Sequence, residues 1–340
     1  MPYKSAILGC GPRARGHIRA YEHVKRGTIT AICDMDEKKL NAIGDEFGIW
    51  RRYVNLEEML SAEAPDLLHI VTSTNYRIDV LRMAAAHGVP AVIIEKPLAV
   101  DGEGYRALVE FAAATSMKVC VNHQLHFHPR RRELAKYVED GMIGEVLLVE
   151  GSARANLMVQ GTHIMQLIHA FMGGARATHV FGNVAGTANL SFRGHAAPDQ
   201  CEAVIEFENG RRAFFQCGEN APQVGERGVN DHKRVAVYGT RGFVHWTMWG
   251  WERTRRDGTV ERGEHAYREE DVLGQASLTE AAFDWLEDDA KVHPTNLRSA
   301  LAELNVILGI YMSALHHRRV ELPVEPENEL IKRLSDALSG

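Results

Sequence analysis

The stretch "VIIEKPLAV", Val92 to Val100, decides how this chain folds. Val92, Ile93 and Ile94 put apolar side chains on both faces of the strand they form, and such strands lie inside parallel sheets covered by helices on both sides. The run ends abruptly in Glu95 and Lys96, followed by Pro97. In an open α/β sheet, ligands bind at the carboxyl ends of the strands, so a lysine delivered there is a candidate for chemistry.

Outward from this strand, residues 1–122 alternate strand and helix patterns. "KSAILGC", "TITAICD", "PDLLHIVT" and "KVCVN" read as strands, and "EKKLNAIGDEF", "RIDVLRMAAAHG" and "GYRALVEFAAATS" as helices. This alternation predicts right-handed crossovers and an α/β domain with a doubly wound parallel sheet. Residues 123–340 read differently. "QCEAVIEFENGRRAFFQCG" and "HKRVAVYGTRGFVHW" are hairpin patterns with short turns between alternating apolar residues. They predict an α+β domain with an open, mainly antiparallel sheet, joined by the helices "GTHIMQLIHAFMGG" and "LRSALAELNVILGIYMSALHH". The charged stretch "WERTRRDGTVERGEHAYREED" is expected to be a solvent-facing hairpin.

Composition narrows the function classes. The chain has 340 residues, 45% of them hydrophobic and 25% charged, which fits a globular protein and excludes a disordered one. A net charge of −6, with no basic run longer than "PRRREL", argues against nucleic acid as a partner. No apolar run is expected to reach the roughly 18 residues that span a bilayer. The start "MPYKSAILGC" reads as a strand rather than a signal peptide. Cys10, Cys33, Cys120, Cys201 and Cys217 show no paired spacing and are expected to be reduced, packed thiols of a cytoplasmic protein.

A nucleotide signal precedes all of this. "ILGCGPRARGH" carries Gly9, Gly11 and Ala14 between a strand and a helix. The first glycine permits a tight turn, the second lets backbone approach a pyrophosphate, and the small third residue lets helix and strand pack closely. Asp34 ends the second strand about 20 residues later, where a carboxylate can bind ribose hydroxyls and repel a 2′-phosphate. NAD is therefore expected over NADP, although Arg13 and Arg15 lie near enough to weaken the preference. The expected cofactor contacts are Gly9, Gly11, Pro12, Arg13, Asp34, Thr72, Ser73, Asn75, Glu95 and Lys96. A helix-capping role accounts for Asn75 equally well.

The Gly-rich turn, "VTSTNYRIDVLRMAAAHGVPAVIIEKPLAV", "VCVNHQLHFHP", "YVEDGMIGEVLLVEG" and the late helix with its "ELP" tail together resemble the Gfo/Idh/MocA family of oxidoreductases. The resemblance covers nearly the whole chain. It implies an N-terminal Rossmann domain binding NAD(P) and a C-terminal domain whose open sheet serves oligomer contacts. It also implies a small carbohydrate or polyol substrate, and a homodimer or homotetramer. In that template Lys96 orients the reacting oxygen and His163, in "QGTHIMQ", handles the proton, the two converging on one substrate oxygen. A lysine stabilises a developing alkoxide, and a histidine accepts and returns a proton near neutral pH.

The chain departs from the family where many members carry acids. Val159 stands four residues before His163 and Gln166 three after it. The segment "NHQLHFHP" instead crowds His123, His126 and His128 together, and an extended backbone would put His126 and His128 on one face. Asn122, His123, His126, His128, His163 and Lys96 are the expected substrate contacts. No metal site is expected, because no carboxylate or cysteine nearby completes a ligand set. The leading function is NAD-dependent oxidation of a secondary hydroxyl. Redox-assisted cleavage of a glycoside with retained NAD is the alternative, and a non-catalytic nucleotide-binding scaffold a third.

Overall fold

A computed structural model describes residues 2–186, 197–224, 228 and 231–339. The chain forms two compact units. One comprises Met1–Leu98, Arg106–Phe127 and Asp271–Ala300, the other Ala99–Tyr105, His128–Glu270 and Leu301–Gly340.

The first unit is built on a parallel sheet. Its elements in chain order are β1 (Tyr3–Leu8), α1 (Ala14–Ala20), β2 (Gly27–Cys33), α2 (Glu37–Phe47), β3 (Arg52–Tyr53), α3 (Leu56–Glu63), β4 (Leu67–Ile70), α4 (Arg77–Ala86), β5 (Ala91–Ile94), α5 (Gly102–Ala114, which begins in the other unit) and β6 (Lys118–Val121). The strand order β3-β2-β1-β4-β5-β6 is that of a dinucleotide-binding sheet, with its switch point between β1 and β4. Ala91, Val92, Ile93 and Ile94 are all 0% exposed. Burying each isoleucine contributes about 1.5–3 kcal/mol, which holds β5 in the interior. One face of the sheet closes over Ile7, Ala14, Ile32, Leu40 and Ile43. Beside it on the same face, Ile93 pairs through His69 with Ile7, and a second cluster of Leu67, Ile93, Phe127, Leu278 and Phe283 forms, so residues far along the chain complete this core. Tyr3 stacks on Phe283 at 4.5 Å, and Phe283 fills the space above Gly27.

The second unit contains α6 (Pro129–Glu139), β7 (Val146–Ala153), α7 (Thr162–Phe171), β8 (Ala177–Ala185), β9 (Gln200–Phe207), β10 (Arg212–Gly218), β11 (Lys233–Gly239), β12 (Gly242–Thr247), β13 (Gly250–Thr254) and β14 (Val260–Glu264). Two helices, α8 (Tyr267–Glu287) and α9 (Leu297–His316), run across a unit boundary, and β15 (Val320–Glu321) and α10 (Leu330–Ser339) follow. Among the described residues this sheet has nine strands in the order β14-β13-β12-β11-β7-β10-β9-β8-β15. All pairs are antiparallel except β7 with β10, which run parallel because β7 enters the sheet between two hairpins. Helix α7 packs over Gly151 through Ile164 and Ile168, and α9 packs over Gly182 through Ile310.

Three expectations need correction. The stretch from Trp251 to Asp271 is a hairpin only as far as Glu264, and α8 begins at Tyr267. Helix α9 has the length and hydropathy of a membrane span, against the expectation that no segment does. Its most apolar window is 72% buried in the protein, so that hydrophobicity serves the core. The segment before α6 is not extended, for the reason given below. The five cysteines are free and buried.

Candidate active site

The ends of β1, β2, β4, β5 and β6 lie along one edge of the parallel sheet, and most expected site residues follow them. Gly9 leaves β1 with φ +96°, and a Cβ there would stand 2.8 Å from the Val71 carbonyl oxygen. Only glycine satisfies both constraints. Gly11 has another reason to be glycine. A Cβ added there meets nothing within 4 Å, so packing within the chain does not demand it. Bare backbone facing open space is what close approach of a pyrophosphate requires. Pro12 and Arg13 complete the turn. Ala14 is 0% exposed beside Ile7 and Cys10, letting α1 lie close on the sheet.

Asp34 clasps the turn from β2. Its Oδ2 accepts the Cys10 N–H at 2.7 Å and its Oδ1 the Asp36 N–H at 2.8 Å. Each oxygen keeps a lone pair for a ribose hydroxyl. These residues fit a dinucleotide. Thr72 and Ser73 follow β4 and are half-buried. Asn75 is exposed within the turn Thr74–Tyr76. That turn displaces the start of α4, whose cap position is Tyr76 with no side-chain cap, so Asn75 does not cap the helix.

Beyond β5, Glu95 is held on one oxygen by three donors. Arg13 Nε lies at 3.0 Å, His17 Nε2 at 2.8 Å and Asn122 Nδ2 at 2.6 Å from Oε1. Burial works to raise the Glu95 carboxyl, but Arg13, His17 and Lys96 outweigh it and hold it well below the usual carboxylate range. Half-buried Lys96 follows directly. His123 is 3% exposed after β6, and burial together with the Lys96 charge lowers its imidazole to about 3. It is therefore neutral near pH 7. Gly9, Gly11, Arg13, Asp34, Glu95, Lys96, Asn122 and His123 are thus all residues of one unit.

The histidine segment turns rather than extends. Gln124–Phe127 form a 3-10 turn, and the His126 N–H donates to the His123 carbonyl at 2.9 Å. The chain must swing off the sheet edge into α6, which opens on Pro129. His126 and His128 consequently do not share an extended face. His126 is half-buried against Phe127. His128 belongs to the second unit, is 0% exposed, and stacks on Tyr267 at 5.6 Å with Glu270 at 3.5 Å. Among the described residues, no three His, Cys, Asp or Glu are arranged to hold a metal.

His163 also belongs to the second unit. It is the second residue of α7 and 4% exposed. A π-turn over Leu157–Gly161 leads into it, with Val159 inside that turn. Gly161 lets the turn close, since a Cβ there would meet Leu157 at 2.5 Å and Phe215 at 3.1 Å. Gln166, one helical turn past His163, is buried.

A family model described as an oxidoreductase family with an NAD-binding Rossmann fold matches residues 3–123. D-apiose dehydrogenase of Paraburkholderia graminis is 26% identical over 343 residues, spanning 94% of this chain and 90% of that one. Inositol 2-dehydrogenase of Rhizobium meliloti is 28% identical over 257 residues, 72% of this chain and 75% of its own. Residues 3–123 thus match the Gfo/Idh/MocA oxidoreductase family, and relatives named as dehydrogenases extend the likeness over the rest of the chain.

The fold is shared with solved oxidoreductases. An oxidoreductase from Agrobacterium radiobacter, crystallised with NAD+, L-tartaric acid and magnesium, superposes with a TM-score of 0.81 at 20% identity, covering 94% of this chain and 98% of its own. By the NAD-binding match and its relatives named as dehydrogenases, the chain is an NAD-binding oxidoreductase. Its site also contains residues that sequence reasoning passed over. His17 lies on α1 and Tyr21 just past its end, His69 lies on β4, and Gln275 comes from α8 to accept from Arg13 Nη2 at 3.0 Å. The spacing of His17 and Tyr21 is legible in sequence, but nothing there points to His69 or Gln275 as their neighbours.

Proposed function

We propose that this enzyme oxidises a secondary hydroxyl of a sugar, polyol or sugar derivative, with Lys96 and His163 handling the proton. The observation that carries this reading is Lys96 following a pinned Glu95 on the sheet edge that also bears the Gly9–Gly11 turn. Bound NAD would supply the hydride acceptor. Lys96 stabilises the oxygen as it gains alkoxide character, and His163 takes its proton, ordinary tasks for an ammonium and an imidazole. Asn122, His123, His126 and His128 are assigned to substrate hydroxyls. Relatives named as apiose and inositol dehydrogenases support a small carbohydrate or polyol. They also favour net oxidation over redox-assisted glycoside cleavage.

NAD is assigned over NADP. Asp34 repels a 2′-phosphate, and the nearby cations are engaged: Arg13 with Glu95 and Gln275, Arg15 with Glu46 at 2.7 Å. A homodimer or homotetramer is assigned through the outer sheet face. There Phe181 and Phe214 are 52% and 44% exposed and, with Glu150 and Arg234, line a cavity of about 420 Å³. Light scattering of Phe181→Glu and Phe214→Glu should report monomers.

The test is absorbance at 340 nm with NAD and a panel of sugars, polyols and sugar acids. NADH formation with at least one compound is expected. Aglycone release from an aryl glycoside without net NADH would replace this reading with redox-assisted cleavage.

A further inference from the structure

Beneath Lys96 runs a buried line of hydrogen bonds that the proposed reaction leaves unused. His17 and Tyr21, four residues apart, face β4 together. His69 on β4 pairs in register with Ile7 and Ile93, and both histidines are 0% exposed. Tyr21 OH lies 2.8 Å from His69 Nε2, His69 Nδ1 lies 3.0 Å from His17 Nδ1, and His17 Nε2 lies 2.8 Å from Glu95 Oε1.

The ionised end sets every proton along the line. An ionised Glu95 only accepts, so His17 carries its hydrogen on Nε2. Neutral His17 then has a bare Nδ1, which takes the Nδ1–H of His69. The bare Nε2 of His69 takes the Tyr21 hydroxyl hydrogen. Each donor meets one acceptor. Burying two imidazoles and part of a tyrosine in the sheet's core is costly unless all are satisfied, and apolar residues would fill the same space without that condition.

We propose that His69 is a positioning residue: with Tyr21 it fixes the His17 tautomer that pins Glu95, and Glu95 in turn keeps the Lys96 amine charged beside it. The role of Lys96 in this statement rests on the dehydrogenase reading. The ionisable groups facing the line are Arg13, which bonds Glu95 from the α1 turn, Lys96 and His123 at the strand ends, and Glu280 of α8, which acts on Tyr21. Asn122 and Gln275 are its neutral neighbours.

The experiment uses the full chain with 15N-labelled histidine and lysine, and compares His69→Leu, His69→Asn and Tyr21→Phe. Leucine cannot donate to His17, whereas the asparagine amide can. His69→Leu should lower kcat by about tenfold, the worth of one charge-assisted hydrogen bond, and shift the acid limb of the pH profile upward while KM for NAD holds. His69→Asn should recover most of the loss even if the leucine variant folds poorly. NMR should show His17 as the Nε2–H tautomer and His69 as the Nδ1–H tautomer, and the Lys96 amine should titrate at lower pH in His69→Leu. An unchanged kcat and pH profile in His69→Leu, or a His17 protonated on Nδ1, overturns the proposal. If the parent enzyme turns over nothing, the dehydrogenase reading falls alone. The tautomers and the Lys96 titration then decide the line without it, an unmoved Lys96 overturning it.

Discussion

Gly11 of the parallel-sheet unit and three glycines of the other unit use a missing side chain in opposite ways. At Gly11 the missing side chain leaves open space, with nothing inside 4 Å of where a Cβ would stand. At Gly151, Gly161 and Gly182 the vacated space is taken by Ile164 at 2.5 Å, Leu157 at 2.5 Å and Ile310 at 2.7 Å. At Gly11 the bare backbone faces open space; at the other three it admits a helix or a turn. One residue type thus leaves space open in one place and is packed over in another, and only its surroundings say which.

The largest expected effect tests whether the first unit carries the chemistry. Lys96→Ala should lower kcat by roughly 100- to 1,000-fold, the usual cost of removing a donor to a developing oxyanion, with a far smaller change in dinucleotide affinity. Stopped-flow kinetics and calorimetry separate the two. Equal losses in both would make Lys96 a cofactor anchor only.

Gly151→Val should destabilise the fold by about 1–3 kcal/mol, because Ile164 and Ile168 of α7 must retreat. Urea unfolding measures it, and NAD affinity of the folded fraction should hold. Gly11→Val should do the reverse: stability within about 0.5 kcal/mol of the parent, because no neighbour is displaced, but dinucleotide affinity reduced by about tenfold or more, since the side chain occupies the space a pyrophosphate would enter. A Gly11→Val protein that binds NAD normally would mean that this open space serves no ligand.

The smallest effect is one on which the units should agree. Burial and the Lys96 charge lower His123 to about 3, and burial and His265 lower His128 to about 3. Both are neutral when folded but charge when unfolded below about pH 6.5, so the unfolded state binds more protons there and stability falls as pH falls. Between pH 6.0 and 5.5 each should cost about 0.6 kcal/mol. His123→Asn and His128→Asn should each flatten the dependence of unfolding free energy on pH by that amount. No flattening in either variant would mean that its histidine is charged in the folded protein.

Much of the first unit was legible because its signals are local. The two-faced apolar run at Val92–Ile94, the glycines at 9 and 11, and Asp34 after "TITAIC" each depend on residues adjacent in the chain. Helix α8 was not legible, although Leu278 and Phe283 complete the Rossmann core, because nothing near residue 280 says which sheet it covers. Helix α9 reads as a helix of the second unit, but its spanning length was passed over, and only the packing around it shows where that apolar surface goes. The histidines of "NHQLHFHP" read as an extended row. Pro129 instead opens a helix right behind them, and the backbone turns to reach it.

Glu95 marks the division most clearly. Its place after a buried strand follows from period and polarity, which are properties of consecutive residues. Its state comes from Arg13, His17, Asn122 and, through His17, from His69, all brought to it by the winding of separate strands and α1 around the sheet. Backbone propensity and hydrophobic period act over a few residues, so the chain alone determined the parallel sheet, the glycine turn and the lysine at its edge. Hydrogen bonds and charge act over a few ångströms regardless of separation along the chain, so the tertiary structure alone decided which side chains set the charge beside that lysine.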